Sequence, residues 1–241
     1  MKKIALIPAR YASTRLPAKL VQDLGGKSVI QRTYLSTVAT GVFDEVWVVT
    51  DHKLIQAQIE ELGGKVFFSQ KNHHSGSDRI AEALNSLDVE IVVNVQGDEP
   101  FQDEISLKKL ASVFENELVQ VASLKTRISE EESQNPNFVK VVTDNSGDAL
   151  YFSRSSIPYN RDKVRSLQYW KHIGVYGYRK DVLLAFTKMK KGALEEIEML
   201  EQLRLLEAGI KIRMVETDHQ SVAIDTEEDL ARARVILRLN A

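Results

Sequence analysis

Short apolar runs without polar alternation punctuate the first half of the chain. Ile4 to Ile7, Val46 to Thr50, Val66 to Phe68 and Ile91 to Val95 each read as a strand covered on both faces, as in a parallel sheet flanked by helices. Between these runs the apolar positions recur at helical spacing. Ser28 to Thr40 carries Val29, Ile30, Tyr34 and Val38 and stops at Gly41, Leu54 to Leu62 closes at Gly63 and Gly64, and Ser77 to Leu87 repeats Ile80, Ala81, Leu84 and Leu87. Strands alternating with helices of this length predict βαβ crossovers and a mostly parallel sheet.

The pattern changes after the midpoint. Val119 to Arg127, Val139 to Thr143, Ala149 to Ser153 and Lys171 to Tyr178 have strand-like content, with a turn at Asp144 to Asp148. Consecutive strands without helices between them predict a small antiparallel lobe, contributed by the segment around 120–180. A helix from Leu194 to Ala208 closed by Gly209 follows, then short strands at Lys211 to Val215 and Val222 to Ile224, and a last helix over Glu227 to Leu239. With no repeat, low-complexity segment or linker, the chain reads as a single α/β domain over 1–241.

Composition narrows the function. A chain of 241 residues with 43% apolar and 27% charged positions can bury a substantial core. Its formal net charge of −2 argues against nonspecific nucleic-acid binding, so the positive charge near the N-terminus is a local feature. The absence of cysteine excludes disulfides and thiolate metal sites, leaving any metal to oxygen or imidazole ligands. No segment approaches the ~18 apolar residues of a membrane span, and the apolar run after Lys2 and Lys3 is too short for a signal peptide. The expectation is a soluble, cytoplasmic protein.

Candidate chemistry clusters after the strands. Directly behind the first strand, Ala9 to Lys19 places Arg10, Arg15 and Lys19 with Ser13 and Thr14 on a loop at a strand's carboxyl end, where open α/β folds bind ligands. Three cations there suit a nucleoside triphosphate, although a solvated basic loop has the same composition. Neither GxGxxG nor GxxxxGK[ST] occurs, so phosphates would fall to this loop. Asp98 follows Ile91 to Val95 beside Gly97, and Asp225 follows Val222 to Ile224 ahead of Thr226, a candidate helix cap. Two such aspartates could share a Mg²⁺ bridging triphosphate oxygens, and the plainer reading of each is a turn or N-cap aspartate.

Arg154 and Arg161 flank Ser155 to Asn160, and His172, Tyr176 and Tyr178 lie on the next strand. Guanidiniums, an imidazole and phenols suit an acidic, hydroxylated substrate such as a sugar acid, while a surface loop beside a core tyrosine pair is the plainer reading. His73 and His74 are adjacent on an extended segment and so point apart, which argues against a two-histidine metal site. Ser77 reads as the cap of the helix that follows, with Arg79 able to reach a ligand at its terminus. Glu195, Glu196, Glu198, Glu201 and Glu207 read as a solvated helix face, with Glu201 and Gln202 able to face a cleft.

Taken in order, IPARYASTRLPAK at 7–19, TDH at 50–52, SGSDR at 75–79, NVQGDEP at 94–100, ALYFSRSSIPYNRD at 149–162, KHIGVYGYR at 171–179, IEMLEQLR at 197–204 and DTEEDL at 225–230 resemble the 3-deoxy-manno-octulosonate (Kdo) cytidylyltransferase family. The resemblance spans essentially the whole chain and overrides the plainer readings of Arg154, His172 and Asp225. It implies a Rossmann-like nucleotidyltransferase fold with a mostly parallel mixed sheet and an antiparallel dimerisation lobe, hence a homodimer. The implied reaction transfers CMP from CTP to the anomeric hydroxyl of Kdo for lipopolysaccharide biosynthesis. The same reaction on the 8-amino-8-deoxy analogue is an alternative, and a CMP-sialate synthetase is a more distant one.

By the same resemblance Ala9, Arg10, Ser13, Arg15, Lys19, Ser75, Gly76 and Arg79 correspond to CTP-binding positions, with Arg10, Lys19, Asp98 and Asp225 catalytic. Gln96, Arg154, His172, Tyr176, Glu201 and Gln202 correspond to sugar-acid contacts, and Asp98 with Asp225 to the Mg²⁺ ligands. The chain departs from the family in two places. Its LPGKPL is here Leu16 to Val21 with Ala18 before Lys19, and its glycine-rich GTGVD is here the stretch Gln220 to Asp225.

Overall fold

The computed structural model describes residues 1–71, 73, 75–162, 167–220 and 222–239. It divides into two compact units, Met1–Lys108 with Ser221–Ala241, and Lys109–Gln220. In the first, β1 (Lys3–Ala9), α1 (Val29–Ala39), β2 (Glu45–Thr50), α2 (Lys53–Glu60), β3 (Lys65–Phe68), α3 (Gly76–Leu84) and β4 (Ile91–Asn94) alternate as the apolar pattern predicts. The strands are parallel in the order β3-β2-β1-β4, with Ala5 of β1 opposite Val46 on one side and Val93 on the other. Ile4 to Ile7 and Ile91 to Val93 are at most 1% exposed, which is why these strands show no polar alternation.

Helices α1 and α3 start at serine caps. Ser28 caps α1 by accepting from Gln31 N while the Gln31 side chain accepts from Ser28 N at 2.9 Å, a capping box. At α3 the cap is Ser75, which accepts from Asp78 N at 3.1 Å, and Ser77 is instead buried in the first turn. Ser75 wins because it holds the extended backbone of an N-cap while Ser77 is already helical.

Helix α4 (Glu104–Ser112) leads into the second unit, which holds β5 (Val121–Ile128), α5 (Glu130–Ser133), β6 (Lys140–Thr143), β7 (Ala149–Ser153), β8 (Tyr169–Arg179), α6 (Lys180–Phe186), α7 (Ala193–Glu198), α8 (Leu203–Glu207) and β9 (Ile212–Glu216). Strand β5 pairs antiparallel with β8 and parallel with β9, and the β6–β7 hairpin meets β8 through Lys140 and Lys171. The expected antiparallel section is there. The expected helix over Leu194 to Ala208 is broken into α7 and α8, because Met199 takes a left-handed conformation with φ 54°. Leu200 N then donates to Glu195 O at 3.3 Å, the wrap of a Schellman C-cap, and Leu200 turns into the core.

The chain returns to the first unit through Val222 to Asp225 and α9 (Glu227–Leu239). The expected strand at Val222 to Ile224 does not form. Ile224 is fully buried, but its N–H bonds to Asp98 O at 3.0 Å rather than to a sheet neighbour. Thr226 does start α9: its Oγ1 accepts from Asp229 N at 3.2 Å and Asp229 Oδ2 accepts from Thr226 N at 3.0 Å. Ser221 and His74 lie outside the described residues.

Candidate active site

A cavity of about 270 Å³ opens in the first unit, behind the carboxyl ends of β1 and β4 and at the N-terminus of α3. Its wall brings together Ala9, Arg10, Ser13 and Lys19 of the basic loop, Ser75, Gly76 and Arg79 of α3, and Gln96 and Asp98 behind β4. The floor is close-packed around Gly97. A Cβ on Gly97 would lie 3.0 Å from Pro8 O and 3.3 Å from Leu20 Cδ1, so only glycine lets the β4 loop approach β1 this closely. Thr33 Oγ1 donates to Gly97 O at 2.8 Å and fixes that loop on α1.

Lys19 is the hub of the charge arrangement. Its Nζ donates to Asp98 and, at 2.9 Å, to Asp225 Oδ1, and Arg15 reaches the same Asp225 oxygen at 3.0 Å. Burial works to lower the Lys19 pKa, but the two carboxylates outweigh it and hold the ammonium above its ordinary value. The backbone bond from Ile224 to Asp98 carries Asp225 to this point from the far end of the sequence. Among the described residues no group of three or more His, Cys, Asp or Glu side chains is arranged to hold a metal. Asp98 and Asp225 alone suit a hard cation such as Mg²⁺, which commonly takes one or two carboxylates and completes its shell with phosphate oxygens and water.

In the second unit the residues matched to sugar-acid contacts lie in and around a largely buried core. His172 Nε2 lies 3.0 Å from Ser123 Oγ, with Phe152 and Tyr176 rings each 5.2 Å from its own. Burial first, and Lys171 second, push its pKa down to about 3, so the ring is neutral near pH 7. Burial pushes the Tyr176 hydroxyl well above its ordinary value, with Tyr178 and Glu201 adding to the shift. Arg154 is anchored on main chain: its Nε donates to Glu198 O at 3.0 Å and its Nη1 to Pro136 O at 3.2 Å, while its own N–H donates to Glu198 Oε2 at 2.9 Å. Gln202 is buried, Glu201 lies 3.7 Å from Arg204, and Gln96 belongs to the first unit.

Several functional or supporting residues escape a reading by pattern. Glu195, expected on a solvated face, is buried and accepts from Arg204 Nε and Nη2, each at 2.6 Å, and Arg204 also lies over Phe186. The broken helix causes this, since it turns Glu195 inward. Lys140 is fully buried with Nζ donating to the carbonyls of Asn135, Phe138 and Arg154, which sets the backbone that carries Arg154. His73 lines the cavity, its Nε2 2.7 Å from Glu82 Oε2 and 3.1 Å from Ser69 Oγ. Only its place in front of the SGSDR segment hinted at that.

A model of the cytidylyltransferase family matches residues 4–212. A 3-deoxy-manno-octulosonate cytidylyltransferase of Flavobacterium johnsoniae is 57% identical, covering 99% of both chains. A second of that name, from Christiangramia forsetii, is 52% identical over 97% of this chain and 96% of its own. A solved CMP:2-keto-3-deoxy-manno-octonic acid synthetase in complex with CTP superposes with a TM-score of 0.95 at 37% identity over the full length of both.

Proposed function

Because the chain belongs to the cytidylyltransferase family, we propose that it transfers CMP from CTP to the anomeric hydroxyl of Kdo, releasing pyrophosphate and making CMP-Kdo. The observation that carries this is the meeting of Arg10, Ser13, Lys19, the α3 N-terminus and Asp98 around one cavity. Cations and main-chain N–H groups there suit a triphosphate, and relatives of 57% and 52% identity bear the name of this activity.

In this reading Arg10 and Lys19 bind the phosphates and offset charge on the departing pyrophosphate, so catalysis is mainly positioning and electrostatics. Ser13, Arg15, Ser75, Gly76 and Arg79 hold the nucleotide. Asp98 and Asp225 would hold Mg²⁺, which when bound neutralises phosphoryl oxygens and lowers the pKa of a nearby hydroxyl. Lys19 bridges those same carboxylates, so its ammonium has to share them with the metal and the triphosphate. Gln96, Arg154, His172, Tyr176, Glu201 and Gln202 recognise the sugar acid, a neutral His172 acting through hydrogen bonds rather than charge. The working form is a homodimer in the cytoplasm, expected to sediment at twice the chain mass of 27.2 kDa.

Pyrophosphate release from CTP, measured in parallel with Kdo, its 8-amino analogue and sialic acid, tests the assignment. Release with Kdo is expected, and silence with all three overturns it. Asp98→Asn is expected to abolish release and to weaken Mn²⁺ binding to the CTP complex, read by electron paramagnetic resonance, while the circular dichroism spectrum stays that of the wild type. Near-normal release by that variant is incompatible with the metal role.

A further inference from the structure

Thr50, Asp51 and His52, a motif the proposed chemistry leaves unused, end β2 beside the cavity residue Arg79. Asp51 Oδ2 accepts from Arg79 Nη2 at 2.8 Å. The Arg79 side chain lies in the first turns of α3, lines the cavity and is only 7% exposed. Its Nη1 is buried and has no hydrogen-bond partner among the described residues.

A guanidinium is a fork of five donors with no other protonation state near pH 7, and a buried donor left without an acceptor is costly. One arm of this fork is spent on Asp51, and the other has no acceptor among the described residues. A phosphate oxygen is the acceptor that matches an unspent guanidinium arm at a helix N-terminus among other cations. Next to Asp51, the His52 ring stacks on Tyr11 with centroids 4.0 Å apart and planes 12° apart, and His52 N donates to Thr50 Oγ1 at 3.2 Å. The end of β2 therefore braces both the basic loop, through Tyr11, and α3, through Arg79.

We propose that Asp51 is a positioning residue for nucleotide binding: it grips Nη2 of Arg79, fixing the fork at the cavity wall so that Nη1 serves a phosphate oxygen of the triphosphate. The inference rests on the CTP reading given above and adds to it a residue that does not itself touch the nucleotide. A carboxylate is required because only a charged acceptor holds the fork against the pull of the ligand and of solvent.

The test is calorimetric titration of CTP with excess magnesium chloride and no sugar acid, on wild type, Asp51→Asn, Asp51→Glu, Arg79→Lys and the Asp51→Asn/Arg79→Lys double variant. Asp51→Asn is expected to weaken CTP binding about tenfold, the worth of a charge-assisted hydrogen bond, and to raise KM for CTP with kcat and KM for the sugar acid near wild type. Asp51→Glu is expected to fall between the two, and Asp51→Asn to add no further loss in the Arg79→Lys background. Unchanged CTP affinity in Asp51→Asn overturns the proposal, even where the unfolding midpoint falls, since that is the behaviour of a merely structural pair. Additive losses in the double variant overturn it as well. Should Asp51→Asn not fold, Asp51→Glu is read in its place, with CTP affinity below wild type beside Arg79 and no change beside Lys at 79. A wild type that binds no CTP overturns the nucleotide reading itself and this proposal with it, an outcome distinct from a normal wild type with an insensitive Asp51→Asn.

Discussion

Ala18 sits where the resembling family has glycine, and it takes the left-handed conformation that glycine favours, φ 50° and ψ 36°. An L-residue with a Cβ pays about 1–2 kcal/mol for that conformation, partly offset in the unfolded state, where alanine has less freedom to lose. Ala18→Gly is thus expected to stabilise the protein by up to about 1 kcal/mol in urea unfolding while leaving Lys19 in place. Lys19 itself is expected to be far less tolerant. Its ammonium holds Asp98 and Asp225 together, and Lys19→Gln should lower turnover by roughly 10²-fold or more, the scale of losing one preorganised charge donor.

His172 makes a pH prediction. Its folded pKa of about 3 lies below the 6.5 of an unperturbed histidine, so the unfolded chain binds the extra proton between those values. The stability this burial confers is complete above pH 6.5 and is lost as pH falls towards 3, at up to ~1.4 kcal/mol per pH unit. Glu82, Asp148 and Asp229, whose pKa values hydrogen bonds and ion pairs hold low against burial, add losses of the same sign. The difference between wild type and His172→Asn in denaturation across pH 4 to 7 isolates the histidine, and a constant difference rules out the buried neutral ring.

At the scale of elements, the break between α7 and α8 shows how packing overrides periodicity. The apolar and acidic positions of 194–208 suit one helix, yet the left-handed Met199 ends α7, which buries Leu200 and brings Glu195 under Arg204. Met199 is 76% exposed, so its side chain contributes little burial to offset its backbone strain. Met199→Gly is expected to raise the unfolding free energy by up to about 1 kcal/mol, and a loss of stability would show that the side chain matters more than the turn. The strands β1, β2 and β4 were legible because a strand buried on both faces must be apolar throughout. Helices α4 and α6 were not: α4 is short although Asp103 Oδ2 caps it by accepting from Ser106 N at 2.7 Å, and α6 has no side-chain cap and an apolar run, Val182 to Phe186, whose length suits a strand equally well. The 222–224 run failed as a strand because a sheet partner is a tertiary property that no local sequence encodes.

At the scale of the whole molecule, the first unit is assembled from two distant stretches, and α9 contributes the fully buried Leu230 and Ala233 to it. Truncation after residue 220 should therefore remove Asp225 and open this core together, seen as lost turnover and a lowered thermal midpoint. By itself the sequence determined the alternating α/β order, the parallel strands, the basic loop and the family. Those follow from residue spacing along one dimension and from motifs that are contiguous in the chain. Only the tertiary structure decided that Lys19 lies between Asp98 and Asp225, that Arg79 is gripped by Asp51, and that Glu195 and Lys140 are buried with partners. These pairings join residues far apart in the chain, and their energetics depend on which charges lose their water together, a condition that exists only once the elements have packed.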